Sequence, residues 1–264
     1  MDCEVLVQPA TALRGEKMLN ALIEAAPEAG VRCNVVKMPT GKAQFLMSYG
    51  LGHPVRRPWT LQHVKRGGRL IGWDLGYWDR DVSGRAHMRL TIDDDHPHRW
   101  IEPMPPERWD AAGIALREDA NPDGPILLCG MGKKQRDLRG FRTHGWELAA
   151  LQRIHKAHPG REVIYRPKRP EMGLPGCRTS KGPIEEALRG ASLVVCSHSN
   201  VAVDACIGGV PVNCEDGAAY ALYRDNPAPT PAQRLEFLRS LAWWQWHPAE
   251  AMEAWKFIRQ RLSA

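Results

Sequence analysis

No stretch of this 264-residue chain is apolar for long enough to span a membrane, and the N-terminus MDCEVLVQP lacks the pattern of a secretory signal. The expected setting is the cytoplasm, with no membrane partner. No C-x-x-C pair occurs, and the seven cysteines are an odd number that mostly fall inside apolar runs. They read as reduced, buried thiols rather than as disulfides or zinc ligands. No G-x-x-x-x-G-K-[ST] loop is present, Gly130-x-Gly132 lacks the third glycine of a dinucleotide fingerprint, and no G-x-S-x-G surrounds Ser197-His198-Ser199. These absences argue against a P-loop nucleotidase, a standard dinucleotide enzyme and an α/β-hydrolase. There is also no internal repeat and no low-complexity tract.

What is there is ordinary in bulk: 43% apolar and 25% charged residues suit a globular protein with one large domain or two small ones. The net charge of +6 favours anionic ligands or a polyanionic partner. The cations cluster at Arg56-Arg57, Lys65-Arg66, Lys133-Lys134 with Arg136, Arg139 and Arg142, and Arg166-Pro167-Lys168-Arg169. Several of these segments sit beside glycine or proline and read as exposed loops. Trp243, Trp244 and Trp246 admit two readings, a core cap or a platform for base stacking.

Apolar runs at Cys3 to Gln8, Val31 to Met38, Gln44 to Tyr49 and Arg69 to Trp73 predict strands, with helices over 12–26 and Leu61 to Lys65. The alternation predicts an open parallel sheet. Residues 79–125 are rich in proline and acids, apart from a strand at Met88 to Ile92. The pattern then restarts. Strands are expected at Pro125 to Cys129, Glu162 to Tyr165, Leu193 to Cys196 and Val210 to Val212. Helices are expected over 144–158, Pro183 to Arg189, Val201 to Ile207, Pro231 to Trp244 and Pro248 to Leu262. The resulting expectation is α/β: two Rossmann-like domains facing a cleft, 1–115 and 116–264, with C-terminal helices.

Ligands of open α/β sheets sit beyond the carboxyl ends of the strands. Four such ends in the second half are polar: Gly130 to Lys133-Lys134, Arg166 to Arg169, Ser197-His198-Ser199-Asn200, and Glu215-Asp216. Cations and amides at a helix N-terminus suit a pyrophosphate, and a carboxylate suits ribose hydroxyls. The turn 197–200 is expected to leave hydroxyls and free N–H groups at the head of a helix. Ser199 or Asn200 equally reads as a plain helix cap. The donor-side candidates are therefore Gly130, Gly132, Lys133, Arg166, Lys168, Ser197, His198, Ser199, Asn200, Glu215 and Asp216.

The stretch SLVVCSHSNVAVDACIGGVPVNCED resembles the nucleotide-sugar-binding end of glycosyltransferases of the GT-B fold. There a strand ends in a small polar turn, a helix closes in A-x-x-x-G, and G-x-P-V opens the next strand. Here those are Ser197 to Asn200, Ala205 to Gly209, and Gly209-Val210-Pro211-Val212. Arg166-Pro167-Lys168 resembles the basic strand end that holds the donor in such enzymes. The resemblance covers about residues 125–216. In the first half, GWDLGYWDR and MRLTIDDDHPH resemble phage-type members of the group, which would place the protein in a host cytoplasm.

The resemblance implies transfer of a sugar from a nucleotide-sugar co-substrate to an acceptor hydroxyl, with no tightly bound cofactor and with a divalent metal permitted but not required. A general base would take the acceptor proton. Asp74, at a predicted strand end beside Gly72 and Gly76, is the first candidate and His53 the second; Asp74 also reads as a turn cap. Asp93-Asp94-Asp95-His96-Pro97-His98 offers oxygens and imidazoles to a metal, yet consecutive acids point in different directions and a solvated loop is the plainer reading. The basic surface makes double-stranded DNA, modified on a hydroxymethylated pyrimidine, one acceptor to consider. A polysaccharide or small-molecule acceptor is the alternative, and a non-catalytic nucleotide- or nucleic-acid-binding module is a further one.

Overall fold

The fold is described from a computed structural model covering residues 1–7, 13–51, 53–78, 80, 87–168 and 173–263. Gln8 and Arg169, both named above, lie outside the described residues. The chain divides into two compact units, Met1–Pro97 with Trp243–Ala264, and His98–Ala242. The expected division lay at 115/116 and gave the whole C-terminus to the second half. Here the last residues return to the first unit.

The first unit begins with β1 (Asp2–Leu6), α1 (Leu13–Ala25), β2 (Arg32–Val36), β3 (Phe45–Tyr49), α2 (Arg57–Lys65), β4 (Arg69–Leu75) and β5 (Met88–Ile92). β2, β1, β3 and β4 pair in parallel in that order. All five residues of β3 are buried, as expected of a strand covered on both faces. Leu6, Leu46 and Leu70 form a cluster against Val36, Leu51 and Trp59. The expected all-parallel sheet is corrected at its edge, because β5 runs antiparallel to β4. A parallel return needs a crossover element. The linking sequence GYWDRDVSGRAH carries no helix-period apolar stripe.

The second unit holds α3 (Glu107–Ala112), β6 (Ile126–Cys129), α4 (Lys133–Arg139), α5 (Gly145–Ala157), β7 (Val163–Arg166), β8 (Arg178–Thr179), α6 (Ile184–Leu188), β9 (Leu193–Cys196), α7 (Val201–Gly208), β10 (Val212–Cys214), α8 (Tyr220–Tyr223) and α9 (Pro231–Ala242). Its sheet has the order β10-β9-β6-β7-β8, with every pairing parallel. Ile126, Leu128, Tyr165 and Val195 pack with Trp146, Ala150 and Ile154 of α5 in one core. The basic segment before α5, expected as a loop, contains α4. Gly132 enters it in an extended conformation, and Gly140 leaves it with φ 70°, a left-handed geometry that favours glycine.

The helix expected to run to Trp244 stops at Ala242, and Gln245–Trp246 form β11, antiparallel to β5. Leu90 N–H donates to Trp244 O at 2.8 Å, and Tyr77 N–H to Gln245 Oε1 at 2.7 Å. These sheet-edge donors take the chain away from the helix. The first sheet thus reads β11-β5-β4-β3-β1-β2. α10 (Ala251–Ser263) then packs on α1, with Trp255 Nε1 donating to Leu22 O at 2.8 Å. Trp244 and Trp246 are buried, their rings 5.2 and 5.6 Å from that of Phe257. They belong to the core and have no face open to a base. No helix among the described residues is long and apolar enough to cross a membrane.

Trp255→Ala removes a fully buried indole and its hydrogen bond. It should cost about 3–5 kcal/mol in chemical denaturation, whereas removal of the exposed Leu148 side chain should cost well under that.

Candidate functional site

The chain of the second unit builds β6, winds outward to β7 and β8 on one side, and then returns to place β9 and β10 on the other. At such a reversal the connections leave toward opposite faces and open a crevice at the carboxyl ends of the two central strands. Here those ends are Gly130-Met131-Gly132 after β6 and Ser197 to Asn200 after β9. Arg166 and Lys168 flank them on one side, Glu215 and Asp216 on the other.

A side chain from the end of α4 ties two of these ends together. Arg139 donates from Nη1 to Ser197 Oγ at 3.1 Å and from Nη2 to Asp216 Oδ2 at 2.8 Å. The same Asp216 oxygen meets His198 Nδ1 at 3.1 Å, while Oδ1 accepts Gly217 N–H at 2.7 Å. Burial alone would raise the Asp216 carboxyl, but the bonds from His198 and Gly217 and the charges of His198 and Arg139 outweigh it and lower it to about 2. Glu215 is engaged on both oxygens, by Trp146 Nε1 at 2.7 Å and Arg153 Nη2 at 2.8 Å. Both acids suggested for ribose hydroxyls are thus held by protein donors.

Beneath the crevice the packing is close. A methyl on Gly130 would collide with Tyr165 Oη, whereas one on Gly132 would meet only Lys168 Cγ at 3.7 Å. Gly130 N–H donates to Arg166 O at 2.8 Å, and the Met131 amide to Glu147 Oε1 at 2.8 Å. Glu147 is fully buried and its Oε2 has no hydrogen-bond partner. Arg166 reaches Ser180 Oγ at 3.2 Å and Gly182 O at 2.8 Å, and Lys133 pairs with Asp137 at 2.6 Å within α4. Lys168 is exposed. Burial pushes the Cys129 and Cys214 thiols up to about 12, so neither offers a thiolate.

Two expectations are corrected. The head of α7 does not present free amides: Val201 N–H donates to Ser199 Oγ, Ala202 N–H to Ser199 O and Val203 N–H to Asn200 O, at 3.3, 3.2 and 2.9 Å. The turn closes on itself, so an anion there would rely on side chains. The basic clusters are also not uniformly exposed. Arg56 is buried with Nη1 on Tyr49 O, and Arg136 is buried with Nη1 on Met131 O at 2.9 Å. Both act as structural cations.

The candidate bases lie in the first unit. Asp74, near the end of β4, accepts Leu75 N–H at 2.8 Å and faces Arg89 Nη2 at 3.4 Å. His53 Nδ1 accepts Val55 N–H at 3.3 Å. The acidic run disperses as its spacing suggests: Asp93 grips Arg69 Nε at 2.9 Å and Leu70 N–H at 2.8 Å, Asp94 accepts Asp95 N–H, and His96 is buried against Tyr77. Among the described residues no three His, Cys, Asp or Glu side chains form a group able to hold a metal ion. Arg139, Trp146, Glu147 and Arg153 escaped the sequence reading as site residues; only the basic cluster around 133–142 hinted at the first.

No family model and no curated protein matches the chain. Among solved structures, the KpsC β-Kdo 2,7 transferase of Thermosulfurimonas dismutans is similar over 98% of this chain and 100% of its own, with a TM-score of 0.56 at 14% identity. The KpsC β-Kdo 2,4 transferase of the same organism is similar over 95% and 94%, with a TM-score of 0.55 at 11% identity. The chain therefore has a fold of the kind found in glycosyltransferases.

Asp216→Asn should lower stability at neutral pH. A lowered carboxyl contributes stability that is complete above its ordinary value of 3.8 and fades as pH falls through about 2. Thermal melts should therefore show the gap between wild type and variant closing over that interval. Gly130→Ala, whose added methyl would meet Tyr165 Oη, should cost about 1–3 kcal/mol in chemical denaturation, with Gly132→Ala near wild type.

Proposed function

We propose that this protein is a glycosyltransferase of the GT-B type, moving a sugar from a nucleotide-sugar donor to an acceptor hydroxyl. The observation that carries the reading is the set of polar carboxyl ends around β6 and β9, where the end of α4 brings Arg139 onto Ser197 and the end of β7 carries Arg166 and, two residues on, Lys168. The whole-length likeness to sugar transferases supports it. When the bond from the sugar carbon to the donor phosphate breaks, its electron pair goes to the phosphate oxygen. Cations placed there in advance stabilise that charge without reorganisation. In this reading Asp216 is a positioning residue that aims Arg139 and His198. Ser197, Ser199 and Asn200 supply polar contacts, and Gly130 leaves room for Tyr165 beneath them.

The first unit takes the acceptor side, with Asp74 or His53 receiving the acceptor proton. The two neighbours are named for Kdo transfer, which makes nucleotide-activated Kdo the first donor to try and a saccharide hydroxyl the favoured acceptor. Hydroxymethylated DNA remains the second acceptor, on the strength of the net charge of +6 alone. With Arg56 and Arg136 committed to backbone carbonyls, fewer cations are left to track phosphates.

The test is release of free nucleotide from a panel of nucleotide sugars, nucleotide-activated Kdo included, with saccharide acceptors, with hydroxymethylated DNA, or with neither. Acceptor-dependent release, reduced at least about a hundredfold in Arg139→Gln and preserved in EDTA, is the expected result. Saturable nucleotide binding with no release from any donor would mark a binding module instead, and no binding at all would remove the donor-site reading.

A further inference from the structure

The sheet of the second unit carries another concavity at the opposite ends of its strands. A cavity of about 370 Å³ opens where β6 and β9 begin, floored by Ile126 and Leu193 and walled by Pro122, Pro211 and Pro227. β6 and β9 are four residues long, so roughly 13 Å of strand separates this cavity from the crevice described above.

Its walls are fixed before anything binds. Val194 N–H donates to Pro211 O at 2.8 Å, Val212 N–H to Pro227 O at 3.3 Å, and Asn121 N–H to Ala191 O at 3.1 Å. Each proline has a locked φ and no N–H of its own, so these walls are stiff and offer no proline donor to water or ligand. Ser192 Oγ is turned to Pro125 O at 3.2 Å.

Charge enters from one edge only. Arg161 and His158 line the cavity, and no acid does. Among the described residues the Arg161 guanidinium makes one long contact, Nη1 to Gly124 O at 3.4 Å, and no carboxylate pairs with it. The neighbouring acid, Glu162, is taken by Arg178 at 3.0 Å. A guanidinium without an anion, set beside preformed apolar walls, selects a ligand with an apolar body and one anionic group. A volume near 370 Å³ leaves room for a single ring with a short substituent.

We propose that this cavity is a second ligand site, binding a small aromatic or compact aliphatic monocarboxylate with its carboxylate on Arg161 and its body against the three prolines. The site is independent of the sugar-transfer reading, because it shares no residue with the crevice.

Benzoate and neutral benzamide are titrated into the full chain without nucleotide, followed by heteronuclear NMR. Saturable benzoate shifts confined to residues around 120–126, 158–161, 192–193 and 227–228 are expected. Arg161→Gln should weaken benzoate about tenfold, equivalent to about 1.4 kcal/mol, and leave benzamide unchanged. Ala228→Trp, at the rim, should block both ligands, and Leu193→Trp gives a second blocking variant if the first fails to fold. Absence of saturation at 20-fold excess over a millimolar protein sample, or equal benzoate affinity in wild type and Arg161→Gln, would overturn the proposal.

Discussion

The second unit depends on the burial of one short strand. β6 is four apolar residues, ILLC, paired in parallel on both edges and covered on both faces. Nothing polar enters it until Gly130, where the backbone has to leave the sheet. Because β6 was laid down first and its two neighbours were added on opposite sides, that exit is also where the connections part. The crevice and its cations follow from strand order. They require no special residue within the sheet.

Around that exit, the charges are arranged as a lattice of mutual restraint. Asp216 holds Arg139 and His198, while Glu215 holds Trp146 and Arg153. Partly buried pairs of this kind add little net stability once desolvation is counted, but breaking one leaves a charge poorly solvated. Their value lies in geometry: two acids hold three basic side chains from α4, α5 and the β9 turn in set directions. Pre-set direction is what a charge-transfer step needs from its surroundings.

Much of this architecture can be read from the residues. The runs at β3, β6 and β9 announce themselves because strands buried on both faces are apolar almost throughout. α4 does not, since KKQRDLR has only Leu138 to mark a buried side and its limits are set by Gly132 and Gly140. β11 and the early stop of α9 are equally silent. They depend on sheet-edge donors at Tyr77 and Leu90, more than 150 residues away in sequence from their acceptors. Arg139 is visible as one of several cations, but its partners Ser197 and Asp216 lie 58 and 77 residues further on. Local pattern predicts which strand ends are polar. It does not tell which polar groups satisfy one another, and so the donors that hold Glu215 and Asp216 are not legible from it.

The return of residues 243–263 to the first unit has a consequence for how the protein is made. On the ribosome, every residue of the second unit is synthesised before β11 and α10 exist. The second unit can close its parallel sheet at once, whereas the first must wait with β5 as an unpaired edge and the apolar side of α1 uncovered. The unit begun first is therefore finished last, and it is the one whose nascent form most needs shielding from its neighbours on a crowded polysome.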